Sequence, residues 1–466
     1  MNSSMNSFGP VSASRREFIK STGKFAAVSA LANVAIPAVH AAGSDVIQVA
    51  LIGCGGRGGG AAANALSVKR GPVKLVAMAD IFPDRLQKDL TKLQTQLASQ
   101  VDVPQERQFI GFDAYQKAMD CLKPGDVAIF ATPPAFRWVH FAYAIQKGLH
   151  VFMEKPLSAD GPASKRMFSL GHEAQAKNLK IGVGLMSRHN RAMQELAKRV
   201  HDGEIGEILL QRGYRMHGPG GYFSSLPKPA GITDLLYQVQ RFHSFIWASG
   251  GCFNDFYIHL IDQLGWMKNQ WPVKAQALGG RHYRSSAEGI MYVDQNFDTY
   301  SVEYTYADGT KFFFDGRTIP GCEQIYCSTL QGTKGSAIAS KEGDCGQPSS
   351  LYASQDLTTK MLWESKVKPE EQDPYQNEWN DLVDAIRDDK PYNEVQRGVE
   401  ASLVSSMGRM AAHTGREVTF DQMLNSDFEM SPNTDKFTMD SQAPLVAGAD
   451  GRYAVPQPGI VTSREY

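Results

Sequence analysis

Short apolar runs alternate with longer helix-like segments between residues 46 and 186. The predicted strands span residues 46–52, 73–79, 127–131, 150–153 and 181–185. The predicted helices span residues 61–66, 85–97 and 136–147. Strands that alternate with helices require right-handed crossovers, which produce a parallel sheet covered by helices on both faces. The pattern therefore predicts an α/β fold that begins with a doubly wound domain over residues 46–186.

The pattern changes after residue 186. A helical segment at 191–201 is followed by strand-like runs at 207–216, 300–306, 311–314 and 324–330. Asp308-Gly309 lies between two of these runs and is typical of a two-residue hairpin turn. The sequence therefore predicts an α+β domain with a largely antiparallel open sheet over residues 187–372.

The last hundred residues divide into two parts. Helical patterns at 376–387 and 395–413 predict a pair of closing helices within residues 373–424. Residues 425–466 show no periodicity and are rich in Asp, Pro, Gly and Ser. This composition predicts an irregular, loosely wrapped tail.

Composition limits the classes of partner. Of 466 residues, 48 are Lys or Arg and 49 are Asp or Glu, so the formal net charge is −1. Such a balance provides no global basic field for nucleic acid or an anionic membrane and leaves only local basic patches open. The six cysteines are too few for a disulfide scaffold, and Cys322 and Cys327 lack partners at zinc-site spacing. We expect no metal.

The first 42 residues look like a targeting segment. Residues 14–20 read SRREFIK, and a short alanine-rich apolar stretch then ends at Ala41 and Ala42. This resembles a twin-arginine export signal, which implies a periplasmic or exported protein. Such a protein folds, with any cofactor bound, before transport. The apolar stretch is too short for a stable membrane span. A basic N-terminal helix packed on the domain is the alternative.

A glycine-rich turn follows the first predicted strand. It reads Gly53-Cys54-Gly55-Gly56-Arg57-Gly58 and fits G-x-G-x-x-G, with a helix directly after it. Glycines at these positions allow a tight turn and a close approach to a pyrophosphate at the helix N-terminus. Asp80 ends the second strand, where a carboxylate binds ribose hydroxyls and favours NAD, although Arg57 leaves NADP open. Alternatively, Asp80 caps a turn before Pro83.

Three further residues are candidates for acid–base chemistry. Lys155 follows the strand at 150–153, at the edge where doubly wound sheets bind ligands. Asp255 and His259 fall one helical turn apart, so a carboxylate could orient an imidazole and raise its pKa. The alternatives are a solvated lysine and a structural histidine near a helix N-terminus.

Four motifs in order resemble the Gfo/Idh/MocA oxidoreductases. They are the turn at 53–58, Ala131-Thr132-Pro133-Pro134 with His140, Glu154-Lys155-Pro156, and Asp255-x-x-x-His259. The resemblance implies an N-terminal Rossmann domain and an α/β domain whose open sheet forms homodimer or homotetramer contacts. It implies cofactor contacts from Thr132, Pro133, His140, Glu154 and Lys155. Gly250-Gly251-Cys252 departs from the three glycines that are usual there.

The resemblance implies hydride transfer between a sugar or polyol hydroxyl carbon and a nicotinamide. His259 would take the hydroxyl proton, Asp255 would hold and charge His259, and Lys155 would stabilise the developing alkoxide. We expect seven side chains to line the sugar pocket: Arg188, Tyr214, Arg215, His217, Tyr237, Arg281 and His282.

Export limits how the cofactor can turn over, because free NAD is scarce outside the cytoplasm. A tightly bound NAD could be recycled by a second substrate. Alternatively, transient oxidation could drive elimination from a glycan, which makes an NAD-dependent glycosidase the competing hypothesis. A cofactor-binding sensor without catalysis is a third.

Overall fold

The computed structural model describes residues 45–466. The predicted export signal at residues 1–42 lies outside the described residues. Within the described part, no helix combines the length and apolarity needed to cross a bilayer. The same part holds no group of three or more His, Cys, Asp or Glu side chains arranged to bind a metal ion. The six cysteines are free thiols, so Cys322 and Cys327 are not paired.

The N-terminal domain is a six-stranded parallel sheet in the order β3-β2-β1-β4-β5-β6. Its strands are β1 (Ile47–Ile52), β2 (Val73–Asp80), β3 (Gln108–Ile110), β4 (Val127–Phe130), β5 (His150–Met153) and β6 (Ile181–Val183). Its helices are α1 (Gly56–Leu66), α2 (Pro83–Leu97), α3 (Ala114–Asp120), α4 (Arg137–Lys147) and α5 (Gly161–Ala176). The predicted Rossmann-type fold is confirmed.

Burial explains why these strands could be predicted from the sequence. Every residue of β4 and β5 is buried, and so is every residue of β1 except Gln48. Strands covered by helices on both faces need continuous apolar runs, which is the pattern that predicted them. The strand order reverses between β1 and β4, and ligands of doubly wound sheets bind at the carboxyl ends of strands at such a reversal.

The sequence pattern missed β3, α3 and α5. β3 has only three residues at the edge of the sheet, too few to show an alternation. α5 includes Gly171, and a Cβ added there would lie 2.8 Å from Cγ1 of Val395. Close helix packing therefore uses a residue with low helix propensity, which hides the helical pattern.

The second domain is built on a nine-stranded sheet in the order β14-β13-β12-β11-β7-β10-β9-β8-β15. Its strands are β7 (Ile208–Met216), β8 (Lys274–Gly280), β9 (Thr299–Thr305), β10 (Lys311–Arg317), β11 (Ile325–Gly332), β12 (Ser336–Ser340), β13 (Ser350–Tyr352), β14 (Met361–Glu364) and β15 (Val418–Thr419). All neighbours are antiparallel except β7 and β10. The largely antiparallel sheet is confirmed, as is the β9–β10 hairpin, where Gly309 has φ +85°.

The helices that follow the first domain along the chain include some that pack on this sheet and some that contact both domains. They are α6 (Arg191–His201), α7 (Asp234–Gln240), α8 (Ile246–Ser249), α9 (Gly251–Lys268), α10 (Pro374–Arg387), α11 (Val395–Thr414) and α12 (Phe420–Leu424). α9 contacts β7, and α11 contacts β8 and β9. α10 packs on α1, and α11 also packs on α5. Of the two predicted closing helices, α11 therefore contacts both domains.

The C-terminal tail is irregular but its end is not loosely attached. Glu465 is 2% exposed, and its carboxylate lies 2.8 Å from the guanidinium of Arg409 and 2.9 Å from Nδ1 of His413. Phe437 packs against the rings of Phe112 and Phe136. Buried charge pairing and aromatic contacts hold a segment whose composition alone indicated weak attachment.

Candidate active site

A cavity of about 1050 Å³ opens at the carboxyl ends of the parallel strands, between the two domains. All twelve residues predicted to bind the cofactor line it: Gly53, Cys54, Gly55, Gly56, Arg57, Gly58, Asp80, Thr132, Pro133, His140, Glu154 and Lys155. Asp255, His259 and Arg215 line the same cavity from the second domain. The fold thus brings the predicted cofactor and acid–base residues together.

The glycine turn is shaped by packing at its ends and by open space in its middle. Gly53 has φ +97°, and a Cβ there would lie 2.7 Å from the carbonyl carbon of Ala131. A Cβ at Gly58 would lie 2.0 Å from the carbonyl oxygen of Gly53. Nothing lies within 4 Å of a Cβ built at Gly55 or Gly56. The open middle, at the start of α1, fits a pyrophosphate bound by backbone N–H groups.

Asp80 ends β2 and lines the cavity. Its Oδ2 accepts a hydrogen bond from the Cys54 amide at 2.6 Å, and its Oδ1 accepts one from the Phe82 amide at 2.8 Å. Burial raises the pKa of Asp80, while these two amide donors lower it. Each oxygen keeps a further lone pair, so the carboxylate fits the ribose hydroxyls of NAD.

The Arg57 guanidinium lies beside two carboxyl groups of the protein itself. Its Nε lies 2.5 Å from Oε1 of Glu154, and one Nη lies 3.7 Å from Oε1 of Glu378. Its guanidinium also lies over the Tyr375 ring, 4.6 Å from the centroid. Burial raises the pKa of Glu378, a buried acid that the sequence patterns did not reveal.

Thr132 and His140 form one wall of the cofactor end. Oγ1 of Thr132 lies 3.2 Å from Nδ1 of His140. Burial, followed by the charge of Arg137, lowers the pKa of His140 to about 3, so this imidazole is neutral. The His140 ring packs 4.4 Å from the Tyr115 ring. His140 therefore supports the wall as an uncharged ring.

Lys155 and Asp255 meet at the boundary between the domains. Nζ of Lys155 donates to the carbonyl oxygen of Asp255 at 2.6 Å and lies 3.4 Å from its Oδ1. Oδ2 of Asp255 lies 3.0 Å from Nε2 of His243. Burial would raise the pKa of Asp255, but Lys155 and His243 outweigh it and hold the pKa well below its usual range. Asp255 is therefore a stable carboxylate.

The predicted pairing of Asp255 with His259 is corrected by this geometry. Asp255 is bonded to Lys155 and His243, which reaches it from the turn Phe242–Ser244. Nδ1 of His259 is buried and has no hydrogen-bond partner among the described residues. Burial lowers the pKa of His259 to about 4, so the imidazole is neutral rather than charged. A neutral imidazole that lines the cavity can accept a proton from a ligand hydroxyl.

Of the seven predicted sugar-pocket residues, Arg215 lines the cavity and His217 supports it. Nε of Arg215 lies 3.2 Å from Nε2 of His217, and Arg215 also lies 3.5 Å from the Asp344 carboxylate. Tyr214 precedes Arg215 on β7 and therefore points to the opposite face of the sheet. Tyr214 packs there against the Arg212 guanidinium.

The other four predicted residues do not line the cavity. Arg188 forms two hydrogen bonds with the Asp262 carboxylate, at 2.9 and 2.7 Å. Arg281 pairs with the buried Asp294, and Tyr237 is buried with its hydroxyl bonded to a backbone carbonyl. His282 has a side chain that is 62% exposed. These polar groups serve internal pairs or the surface.

The lining residues that the sequence patterns missed include Tyr222, Phe242, His243, Phe256, Asp344 and Tyr375. Most lie in segments without periodicity, so only the tertiary structure brings them to the cavity. Phe256 was the exception, because it directly follows Asp255 on a predicted helix.

This arrangement defines a class: a glycine turn, a ribose-side carboxylate and an acid–base group share one cavity, as in dinucleotide-dependent oxidoreductases. Residues 47–200 match the family described as "Oxidoreductase family, NAD-binding Rossmann fold", the Gfo/Idh/MocA family. Over these residues the chain is therefore similar to the NAD-binding Rossmann domain of the Gfo/Idh/MocA oxidoreductases.

This chain is similar to one curated relative and to two solved structures. Inositol 2-dehydrogenase of Corynebacterium glutamicum (strain ATCC 13032) is 30% identical over 142 residues, which are 30% of this chain and 40% of the relative. This chain thus spans less than half the length of that relative. Myo-inositol 2-dehydrogenase from Lactobacillus plantarum has a TM-score of 0.59 at 22% identity, covering 80% of this chain and 99% of that chain.

The second solved structure contains a cofactor. Scyllo-inositol dehydrogenase from Lactobacillus casei, with bound NAD(H) and scyllo-inositol, has a TM-score of 0.58 at 19% identity. It covers 81% of this chain and 99% of that chain. At these identities the two structures establish a shared fold that includes the second domain.

Proposed function

We propose that the chain is an NAD-dependent dehydrogenase that oxidises a hydroxyl of a neutral, inositol-like polyol or sugar. The observation that carries this proposal is that Lys155, Asp255 and His259 line the same cavity as the glycine turn and Asp80. An acid–base group and a cofactor site in one cavity are what alcohol oxidation requires.

The residues divide the reaction between them. The substrate loses its C–H as hydride and its O–H as a proton, and the alcohol becomes a carbonyl. NAD⁺, when bound, supplies the hydride acceptor at nicotinamide C4. Neutral His259 accepts the proton, and the Lys155 ammonium donates a hydrogen bond to the oxygen as negative charge develops there. Asp255 keeps that ammonium in place through its carbonyl and its carboxylate.

The lining at the substrate end supports a neutral substrate. The two cations Lys155 and Arg215 are matched by the carboxylates of Asp255 and Asp344. No unmatched cation remains among these four to attract a carboxylate or phosphate. Tyr222, Phe242 and Phe256 supply aromatic faces against which the C–H face of a ring can pack. The relative and the two solved structures named above are inositol dehydrogenases, which also favours this substrate class.

The test is oxidation of a panel of polyols by purified protein. We expect NADH absorbance to appear with NAD and at least one of myo-inositol, scyllo-inositol and free hexoses, and Lys155→Met to abolish it. The exposed Lys165→Met on α5 is the matched control and should retain the wild-type rate. Wild-type turnover by the Lys155 variant would exclude the proposed site.

Oxidoreduction is favoured over the glycosidase hypothesis. The relatives reported above are dehydrogenases, and no contact in the cavity specifically favours elimination of a glycosidic group. The same panel tests this choice, because an aryl glycoside added to it would release its aglycone without net NADH only if elimination occurs.

We further propose export of the folded protein by the twin-arginine route, with NAD tightly bound and recycled by a second substrate. The support is the SRREFIK sequence at residues 14–20. Fusing residues 1–45 to a reporter tests export, which should stop when Arg15 and Arg16 are both replaced by lysine. Nucleotide released from denatured protein, measured by chromatography, tests tight binding.

A homodimer or homotetramer is proposed as the assembly. The support is the nine-stranded sheet, in which Tyr300, Val302 and Tyr304 of β9 are buried under helices while the alternate residues face outward. An outward sheet face can pair with a second copy. Light scattering measures the assembly, and Phe313→Glu on β10 should dissociate it.

A further inference from the structure

His243 occupies a fixed position between a loop and Asp255. Nδ1 of His243 accepts a hydrogen bond from the Tyr222 amide at 3.2 Å. An imidazole nitrogen that accepts an N–H carries no proton, so the ring proton lies on Nε2. Nε2 then donates to Oδ2 of Asp255, 3.0 Å away. The tautomer follows from this network and fixes the direction of both bonds.

Packing prevents the ring from rotating out of this network. The His243 ring centroid lies 3.9 Å from that of Phe242 and 5.2 Å from that of Phe256. Gly221 has φ +55°, and a Cβ there would lie 2.6 Å from Nδ1 of His243. The loop before Tyr222 therefore fits closely over the imidazole, and both loop and imidazole line the cavity.

The hydrogen bond from His243 determines which carboxylate oxygen of Asp255 is free to bind the Lys155 ammonium. With Oδ2 occupied by Nε2–H, the carboxylate presents only Oδ1, at 3.4 Å, to the Lys155 ammonium. The shorter contact of Lys155, 2.6 Å, is with the Asp255 carbonyl. An ammonium held by one carbonyl and one distant carboxylate oxygen keeps a donor for a substrate oxygen.

We infer that His243 is a positioning residue that occupies Oδ2 of Asp255, so that the Lys155 ammonium stays directed at the substrate hydroxyl. The inference rests on the proposed function. It also connects the Gly221–Tyr222 loop to Lys155, because the Tyr222 amide selects the His243 tautomer that donates to Asp255. Without the imidazole, both carboxylate oxygens compete for Lys155 and draw the ammonium away from the substrate hydroxyl.

The test compares His243→Ala and His243→Gln with wild type, using NAD and myo-inositol, with His172→Ala on the surface of α5 as the control. We expect His243→Ala to lower kcat about 10- to 100-fold with KM and the Kd of NAD nearly unchanged. His243→Gln supplies an N–H donor at similar reach and should recover most of that loss. Loss of kcat in both variants to the same extent would overturn the inference.

A second readout does not depend on turnover. Acetylation of Lys155 by acetic anhydride, followed by peptide mass spectrometry, should be about threefold slower or more in folded His243→Ala, because the carboxylate holds the ammonium more closely. An unchanged or faster rate in that variant would overturn the positioning role. If no variant oxidises myo-inositol, the acetylation rates still decide the inference, and the polyol panel separately decides the proposed function.

Discussion

Nε of Arg57 lies 2.5 Å from Oε1 of Glu154 and joins the phosphate-side turn to the segment that carries Lys155. Burial would lower the pKa of Arg57, but Glu154 and Glu378 outweigh it and raise the pKa. A guanidinium bonded to the Glu154 carboxylate and packed on the Tyr375 ring is less available for a 2′-phosphate. Arg57, which left NADP open in the sequence, is therefore engaged within the protein, and we expect Asp80 to determine the choice between NAD and NADP.

Replacing Asp80 by serine should shift the nucleotide preference. The carboxylate would no longer accept the ribose hydroxyls or repel a 2′-phosphate, so we expect NAD affinity to fall about tenfold, roughly 1.4 kcal/mol, while NADP affinity rises. Fluorescence titration of both nucleotides measures the two constants. Asp84→Ser, a change in the first turn of α2, is the control and should alter neither. An unchanged NAD constant in Asp80→Ser would contradict the ribose role.

Alanine at Gly58 and at Gly55 should separate folding from cofactor binding. A Cβ at Gly58 would lie 2.0 Å from a backbone oxygen, so we expect the free energy of unfolding to fall by about 2 kcal/mol or more. A Cβ at Gly55 meets nothing within 4 Å but projects where a pyrophosphate would approach. Gly55→Ala should keep its stability and lose NAD affinity. Urea unfolding and NAD titration measure the stability and the NAD affinity of both variants. Equal losses of stability and of affinity in the two variants would contradict this prediction.

The pH profile should report a neutral His259. Because burial lowers its pKa to about 4, the base form is present above that pH and lost below it. We expect kcat/KM to rise with pH through about 4 and to be flat near pH 6, since this ratio reports the free enzyme. Intrinsic fluorescence at each pH establishes that the protein is folded. An acid limb near 6.5, the ordinary value for histidine, would contradict the burial of this imidazole.

Glu465→Gln should destabilise the fold although it lies far from the cavity. The change leaves the fully buried Arg409 without its counter-charge, which costs about 3–5 kcal/mol in the free energy of unfolding. Burial would raise the pKa of Glu465, but Arg409 and His413 outweigh it and lower the pKa to about 2. The stabilisation is therefore present above the unfolded pKa of about 4.3 and is lost as pH falls towards 2.

Urea unfolding of Glu465→Gln at several pH values measures this effect. The difference from wild type should be largest near neutral pH and should shrink below about pH 4. Arg464→Gln, a change at the exposed neighbour, is the matched control and should leave stability nearly unchanged. A difference that does not depend on pH would show that the Glu465 charge is not responsible.

A regular element could be predicted where its burial imposes a local pattern of apolar residues on the sequence. β4 and β5 are buried on both faces and must be apolar throughout, whereas α5 packs through Gly171 and loses its pattern. The glycine turn was predictable for a similar reason. The steric demand at Gly58 comes from Gly53 within the same turn, and the demand at Gly53 comes from Ala131, directly after the neighbouring strand β4. The sugar-pocket residues were less predictable, because a polar side chain such as Arg188 or Arg281 can serve an internal ion pair equally well.

By itself, the sequence predicted the doubly wound sheet and the nucleotide turn, because local spacing and residue type indicate them, while the resemblance to a known family selected Lys155, Asp255 and His259 as candidates. Only the tertiary structure decided which groups these residues contact. His243 is twelve residues from Asp255 along the chain yet is its hydrogen-bond partner, and burial lowers the pKa of His259, which a neighbouring carboxylate was expected to raise. Side-chain partners and desolvation depend on how distant segments pack, and no local pattern encodes that packing.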